Sequence, residues 1–155
     1  MTSTFKSRAR LALALLLSLV LLTGCTNLEK SKNPDIKTAD FVTVRDPNGE
    51  YPVDYTDFIS FKIFCGTNTS YTLCREAQNT LETKIDGKWY VVPRKDPGWR
   101  ADMPPYVTRN KDFKVSPFRL SEYDYEFKQG EYRYILNIED PGGKRCPIVY
   151  YFKLV

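Results

Sequence analysis

The chain has 155 residues, 27% of them charged, with 23 lysines and arginines against 19 acidic residues and no histidine. Without histidine, Ser-His-Asp and Cys-His nucleophilic catalysis and histidine-ligated metal chemistry are excluded. A formal charge of +4 with no clustered basic face also argues against a nucleic-acid partner.

The N-terminus reads as a secretion leader. Lys6, Arg8 and Arg10 form a positive n-region, Leu11 to Leu22 an uncharged apolar run, and Leu22-Thr23-Gly24-Cys25 closes the segment as a bacterial lipoprotein signal does. The apolar run is too short for a membrane span, which needs about twenty residues. Residues 1–24 are therefore expected to be a removable signal peptide and Cys25 the site of lipidation. Diacylglycerol on Cys25 would hold the protein to the bacterial cell membrane on its extracytoplasmic face, since each buried CH₂ contributes about 0.8 kcal/mol. Loss of Lys6, Arg8 and Arg10 lowers the formal charge from +4 to +1, so most of the basicity belongs to the leader. What remains suits one domain of common size.

Residues 25–37 are polar and of mixed charge. They bury too little apolar surface to offset the entropy of ordering, and so are expected to form a flexible tether ahead of a domain spanning 38–155. Within that domain the apolar pattern has period two between turn signals and no long stretch keeps a helical period, which predicts an all-β fold. Phe41 to Val44 is a first strand and Asp46-Pro47-Asn48-Gly49 a turn. Phe58 to Cys65 alternates so that Ile59, Phe61, Ile63 and Cys65 share one face, and 66–70 ends that strand. Asp86-Gly87 between Leu81–Ile85 and Lys88–Val92 is a two-residue hairpin signal, because a type I′ turn needs positive φ at both central positions. Trp89, with Val91 on its side of the strand, is expected to fill the core. Phe113 to Leu120 is a further strand, at an edge or bulged because of Pro117. Last come Tyr132, Tyr134, Leu136 and Ile138, then a Pro141-Gly142-Gly143 turn, then Cys146, Ile148, Tyr150 and Phe152, each set pointing inward.

Seven or so short strands suggest a sandwich or barrel. The run Lys84-Ile85-Asp86-Gly87-Lys88-Trp89-Tyr90-Val91-Val92-Pro93, followed by Phe127-Lys128-Gln129-Gly130-Glu131-Tyr132-Arg133, resembles the bacterial immunoglobulin-like domains of surface lipoproteins. The likeness covers roughly Phe58 to Val155. It implies an immunoglobulin-like antiparallel β-sandwich at an extracytoplasmic site, and it carries over no catalytic residue.

Three cysteines follow Cys25, an odd number outside a reducing compartment. In the immunoglobulin-like order Cys65, Cys74 and Cys146 lie at one end, where Cys65–Cys74 would close a short loop and Cys65–Cys146 would join the sheets. Three thiols without a histidine make a poor zinc site, and no metal or other cofactor is expected. Glu122, Asp124 and Glu126 share a face opposite Tyr123, Tyr125 and Phe127. That pattern is a solvated edge rather than the carboxylate pair of a glycosidase.

Loops carry function more often than their scaffold, and Trp, Tyr and Arg concentrate binding energy. Trp99, Arg100, Met103 and Tyr106, in the proline-rich stretch 93–106, are thus the binding candidates, with capping of the sandwich as the plain alternative for Trp99. The expected function is that of a membrane-anchored lipoprotein, not an enzyme, whose domain binds or supports an extracytoplasmic protein or glycan. The alternative is a secreted inhibitor or immunity-type protein that blocks an enzyme with the 93–106 loop.

Overall fold

The computed structural model describes residues 28–45, 48–67, 69–74, 78–95, 107–109, 112–114 and 118–155. The chain is an all-β sandwich of two unequal layers. Its strands are β1 (Val42–Arg45), β2 (Asn48–Tyr51), β3 (Phe58–Ile59), β4 (Lys62–Cys65), β5 (Ser70–Leu73), β6 (Thr80–Ile85), β7 (Lys88–Val91), β8 (Val107–Arg109), β9 (Asp112–Lys114), β10 (Phe118–Arg119), β11 (Gly130–Glu139) and β12 (Arg145–Leu154). In the larger sheet the order is β2-β12-β11-β5-β8, and the β6-β7 hairpin joins β11 beside β5. Two small sheets, β1-β4-β9 and β3-β10, form the other layer.

The β11-β12 hairpin is the spine. Its register runs unbroken from Gly130↔Leu154 to Glu139↔Arg145, and Asp140 builds its turn by accepting the Gly142 and Lys144 amides on Oδ1 at 2.9 and 2.8 Å. Gly143, at φ 81°, takes the left-handed conformation that glycine adopts without strain. Alternation then sends Tyr132, Tyr134, Leu136 and Ile138 inward with Cys146, Ile148, Tyr150 and Phe152, and all eight are buried. Cys146 stands opposite Ile138.

Against this face packs the second layer. Ile59, Phe61, Ile63 and Cys65 are all buried, although the expected single strand is broken at Ser60 and Phe61 into β3 and β4. Phe61 stacks on Tyr150 with ring centroids 4.3 Å apart, and Phe118 on Tyr134 at 4.1 Å. The expected strand 113–120 is likewise two pieces, β9 and β10, followed by a 3-10 turn at Leu120–Glu122. The β6-β7 hairpin forms as expected, with Asp86 at φ 48° and Gly87 at φ 76°.

Three expectations are corrected. Asn48 and Gly49, read as a turn, begin β2, which runs parallel to β12, so the sandwich is not wholly antiparallel. Gly49 is required there by close approach, since a Cβ would overlap the hydroxyl of Tyr150 and the ring of Tyr51, whose two hydroxyls share a 2.8 Å hydrogen bond. The second correction concerns the cysteines: no disulfide joins Cys65, Cys74 or Cys146. Cys65 and Cys146 are buried in the core, whereas the Cys74 amide bonds Asn137 O beside β11. That position is one residue past Leu73, the register partner of Ile138, so side-chain alternation turns Cys74 to the opposite face from Cys146.

The third concerns the tether. Residues 29–39 lie on the outer face of the larger sheet as a strap. Val91 N donates to Glu29 O at 2.8 Å and Ser31 N to Trp89 O at 2.9 Å, making Glu29 to Ser31 an extra antiparallel partner of β7. Farther on, Thr38 Oγ1 donates to Val149 O and accepts the Val149 amide, and Ala39 N reaches Pro147 O. The folded unit therefore begins by Glu29, not near Thr38. Composition alone missed this because the strap is held mainly by backbone groups, which carry no side-chain signature.

Tyr132 ties the start of β11 to the chain before it. Its hydroxyl donates to Lys128 O at 2.7 Å and accepts the Lys128 amide at 3.2 Å, the arrangement of the tyrosine corner in Greek-key sandwiches. Burial lifts the phenol above its ordinary range. Alkali therefore ionises the unfolded chain first, and stability is lost as pH rises past about 10 toward the raised value. Tyr132→Phe is expected to cost about 1–2 kcal/mol near neutrality and to flatten that alkaline loss. Urea unfolding at about pH 7 and pH 10.5 checks both.

Candidate functional site

Among the described residues, the outer face of the larger sheet carries the most developed arrangement of polar and aromatic groups. Inward alternation on β11 turns Glu131 and Arg133 outward, and register places them in two neighbouring rows. In the first row stand Trp89, Lys84, Glu131, Lys153 and Glu50, on β7, β6, β11, β12 and β2. Charge alternates along it. Lys84 Nζ meets Glu131 Oε2 at 2.7 Å, and Lys153 Nζ lies 3.8 Å from Glu50 Oε1. The Lys84 ammonium, through its hydrogen bond and its charge, holds the Glu131 carboxyl below the usual glutamate range.

The second row holds Val91, Glu82, Arg133 and Tyr151. Arg133 is fully buried and Glu82 nearly so, which is costly for two charges unless every donor finds an acceptor. Here most do. Nε donates to Glu82 Oε2 at 2.6 Å, Nη1 to Pro34 O at 2.8 Å, and Nη2 to Asn33 O at 3.1 Å and Ser31 Oγ at 3.2 Å. The strap thus owes its course to Arg133, whose planar fork can grip several carbonyls at once.

Trp89 and Tyr151 complete the seal. They start three strands apart, a distance of about 14 Å at ordinary strand spacing, yet their ring centroids are 6.0 Å apart. Trp89 leans over Arg133, whose guanidinium carbon is 4.4 Å from the indole centroid, a cation–π contact strengthened by desolvation, and Tyr151, the register partner of Arg133, meets the indole from the other side of β11. Between this aromatic pair and the charged row lies a cleft of about 450 Å³, lined by Glu50, Lys84, Trp89, Glu131, Tyr151 and Lys153 among others. Tyr151 is 41% exposed there. Exposed aromatic surface beside paired donors and acceptors is the composition of a binding cleft, able to stack a flat or apolar face and hydrogen-bond its rim.

Trp89 is accordingly not core filler. The two-residue hairpin pairs it with Lys84, and that pairing was the available signal, because a lysine's partner faces out with it. The remaining row was invisible locally, since its members come from strands joined only by tertiary pairing.

Cys25, the lipidation candidate, lies outside the described residues, as do the binding candidates Trp99, Arg100, Met103 and Tyr106. Glu122, Asp124 and Glu126 do not form a strand face. Glu122 pairs with Arg94 at 2.8 Å, Glu126 lies 3.6 Å from Lys128, and Asp124 is exposed. Among the described residues no group of three or more carboxylates and thiols is arranged to hold a metal ion.

These features define an all-β sandwich with an aromatic and charged cleft on the outer face of its larger sheet. No protein-family profile matches the chain, and comparisons with characterised proteins and with solved structures find no match.

Proposed function

We propose that the chain is a bacterial lipoprotein, anchored through diacylglycerol on Cys25, whose domain acts without catalysis as a binding or structural module on the extracytoplasmic face of the membrane. The observation that carries the binding half of this reading is the cleft beneath Trp89 and Tyr151, where exposed aromatic surface meets two acid–lysine pairs on a rigid sheet. The anchoring half rests on the basic and apolar leader ending in Leu22-Thr23-Gly24-Cys25. The immunoglobulin-like resemblance belongs to the same proposal and is supported by the Tyr132 corner and by the paired spine strands.

Cys25→Ser tests the anchor. The variant is expected to leave the membrane fraction, or to accumulate unprocessed with its leader attached, in fractionation followed by intact mass. Mature-length Cys25→Ser protein that stays with membranes after a high-salt wash would refute lipidation.

A further inference from the structure

The strap changes how far the domain can stand from its anchor. A free segment of thirteen residues would reach about 45 Å when extended. Docking begins at Glu29, so only four residue steps separate it from Cys25, and these span about 14 Å at most. A domain of this size is about 35 Å across. With so short a leash, the edge that holds Glu29 cannot turn away from the bilayer.

That edge is β7 with the strap alongside it. Lys30, Ser31, Pro34, Asp35, Lys88 and Trp89 line a shallow crevice there. Exposed Lys30, Lys32 and Lys88 are interspersed with exposed Glu29, Asp35 and Asp86, so the edge has no net charge of consequence. Mixed charge of this kind suits phospholipids that carry both a phosphate and an amine, and gives no preference for anionic lipid. Trp89 adds an amphipathic ring of the sort that settles at membrane interfaces.

We propose that the β7 edge and the strap lie against the phospholipid headgroup layer that holds the anchor, with Trp89 at the contact. The inference rests on lipidation of Cys25. It gives the domain a fixed posture: the β7 edge faces the bilayer, and ligands reach the outer-face cleft from beside the membrane.

The test uses the full lipidated chain in vesicles of phosphatidylcholine and phosphatidylethanolamine doped with a headgroup-nitroxide lipid. The chain has two tryptophans, so Trp99→Phe leaves Trp89 as the only reporter. Its emission is expected to fall by half or more on the doped vesicles, with little change when salt is raised or anionic lipid added. Amide exchange of the wild-type protein provides a second reading that needs no substitution, with slowing expected over residues 86–91 on plain vesicles. Protein that carries acyl mass on Cys25 and floats with the vesicles, yet shows neither quenching nor slowed exchange, overturns the posture. Failure of the anchor itself is recognised separately, by absence of the acyl mass and of flotation.

Discussion

Replacing Glu82 by glutamine is expected to lower stability by about 3–5 kcal/mol, because it leaves the fully buried Arg133 without its counter-charge. The loss should not stop at the pair. Arg133 also grips Ser31, Asn33 and Pro34, so a guanidinium drawn toward water would release the strap with it. Trypsin sites at Lys30, Lys32 and Lys37 should then be cut faster than in the wild type, at a denaturant concentration where both proteins remain mostly folded. Joint replacement of Glu82 and Arg133 by leucine and methionine separates charge from shape. It should recover much of the global stability, since buried ion pairs are often replaceable by apolar groups of similar volume, but not the protection of the strap. Urea unfolding and limited proteolysis of the three proteins check this, and equal strap cleavage in the double variant and the wild type would show that Arg133 does not hold the strap.

Phe61→Ala is expected to be comparably costly, about 3–5 kcal/mol, for a different reason. Phe61 sits at the break between β3 and β4, so no ladder hydrogen bond within those strands depends on it. Its contribution lies in burial and in stacking on Tyr150, itself stacked near Phe152 and hydrogen-bonded to Tyr51. Removing the ring leaves a cavity under the centre of the larger sheet, and lost transfer energy and cavity add. Phe61→Leu should cost markedly less by filling most of that volume. The comparison is made by thermal and urea unfolding, and a Phe61→Ala effect below about 1 kcal/mol would mean that the two layers collapse onto each other without it.

The inner face of this sandwich was readable because alternation is a local property. Ile59, Phe61, Ile63 and Cys65 in one segment, and Tyr132 through Ile138 with Cys146 through Phe152 in another, declare a common side without reference to anything distant. Asp86-Gly87 likewise fixed its turn and, through the turn, the register of β6 and β7. What escaped depended on partners far along the chain. Asn48-Gly49 has the composition of a turn, and only parallel pairing with the distant β12 makes it a strand. The strap has almost no apolar residues and is retained by carbonyls that meet one arginine about a hundred positions later. Trp89 was misplaced because a large aromatic in a strand is usually inward; its lysine partner outweighs that tendency. For the candidate cleft, the individual members were ordinary surface residues, and only the order of strands made them neighbours.

The strap and β2 both come early in the chain, and both are held by the last two strands. Thr38 and Val149 are 111 residues apart, and Ser31 and Arg133 are 102 apart. Beyond the part that pairs with β7, the strap cannot reach its place until β11 and β12 exist, and β2 cannot pair until β12 does. Contacts this remote in sequence put sandwich folding in the millisecond-to-second range, long after local turns have formed. Throughout that interval the strap lies open to proteases at Lys32 and Lys37, and it is drawn onto the sheet only when the final hairpin brings Arg133 and Val149 into place.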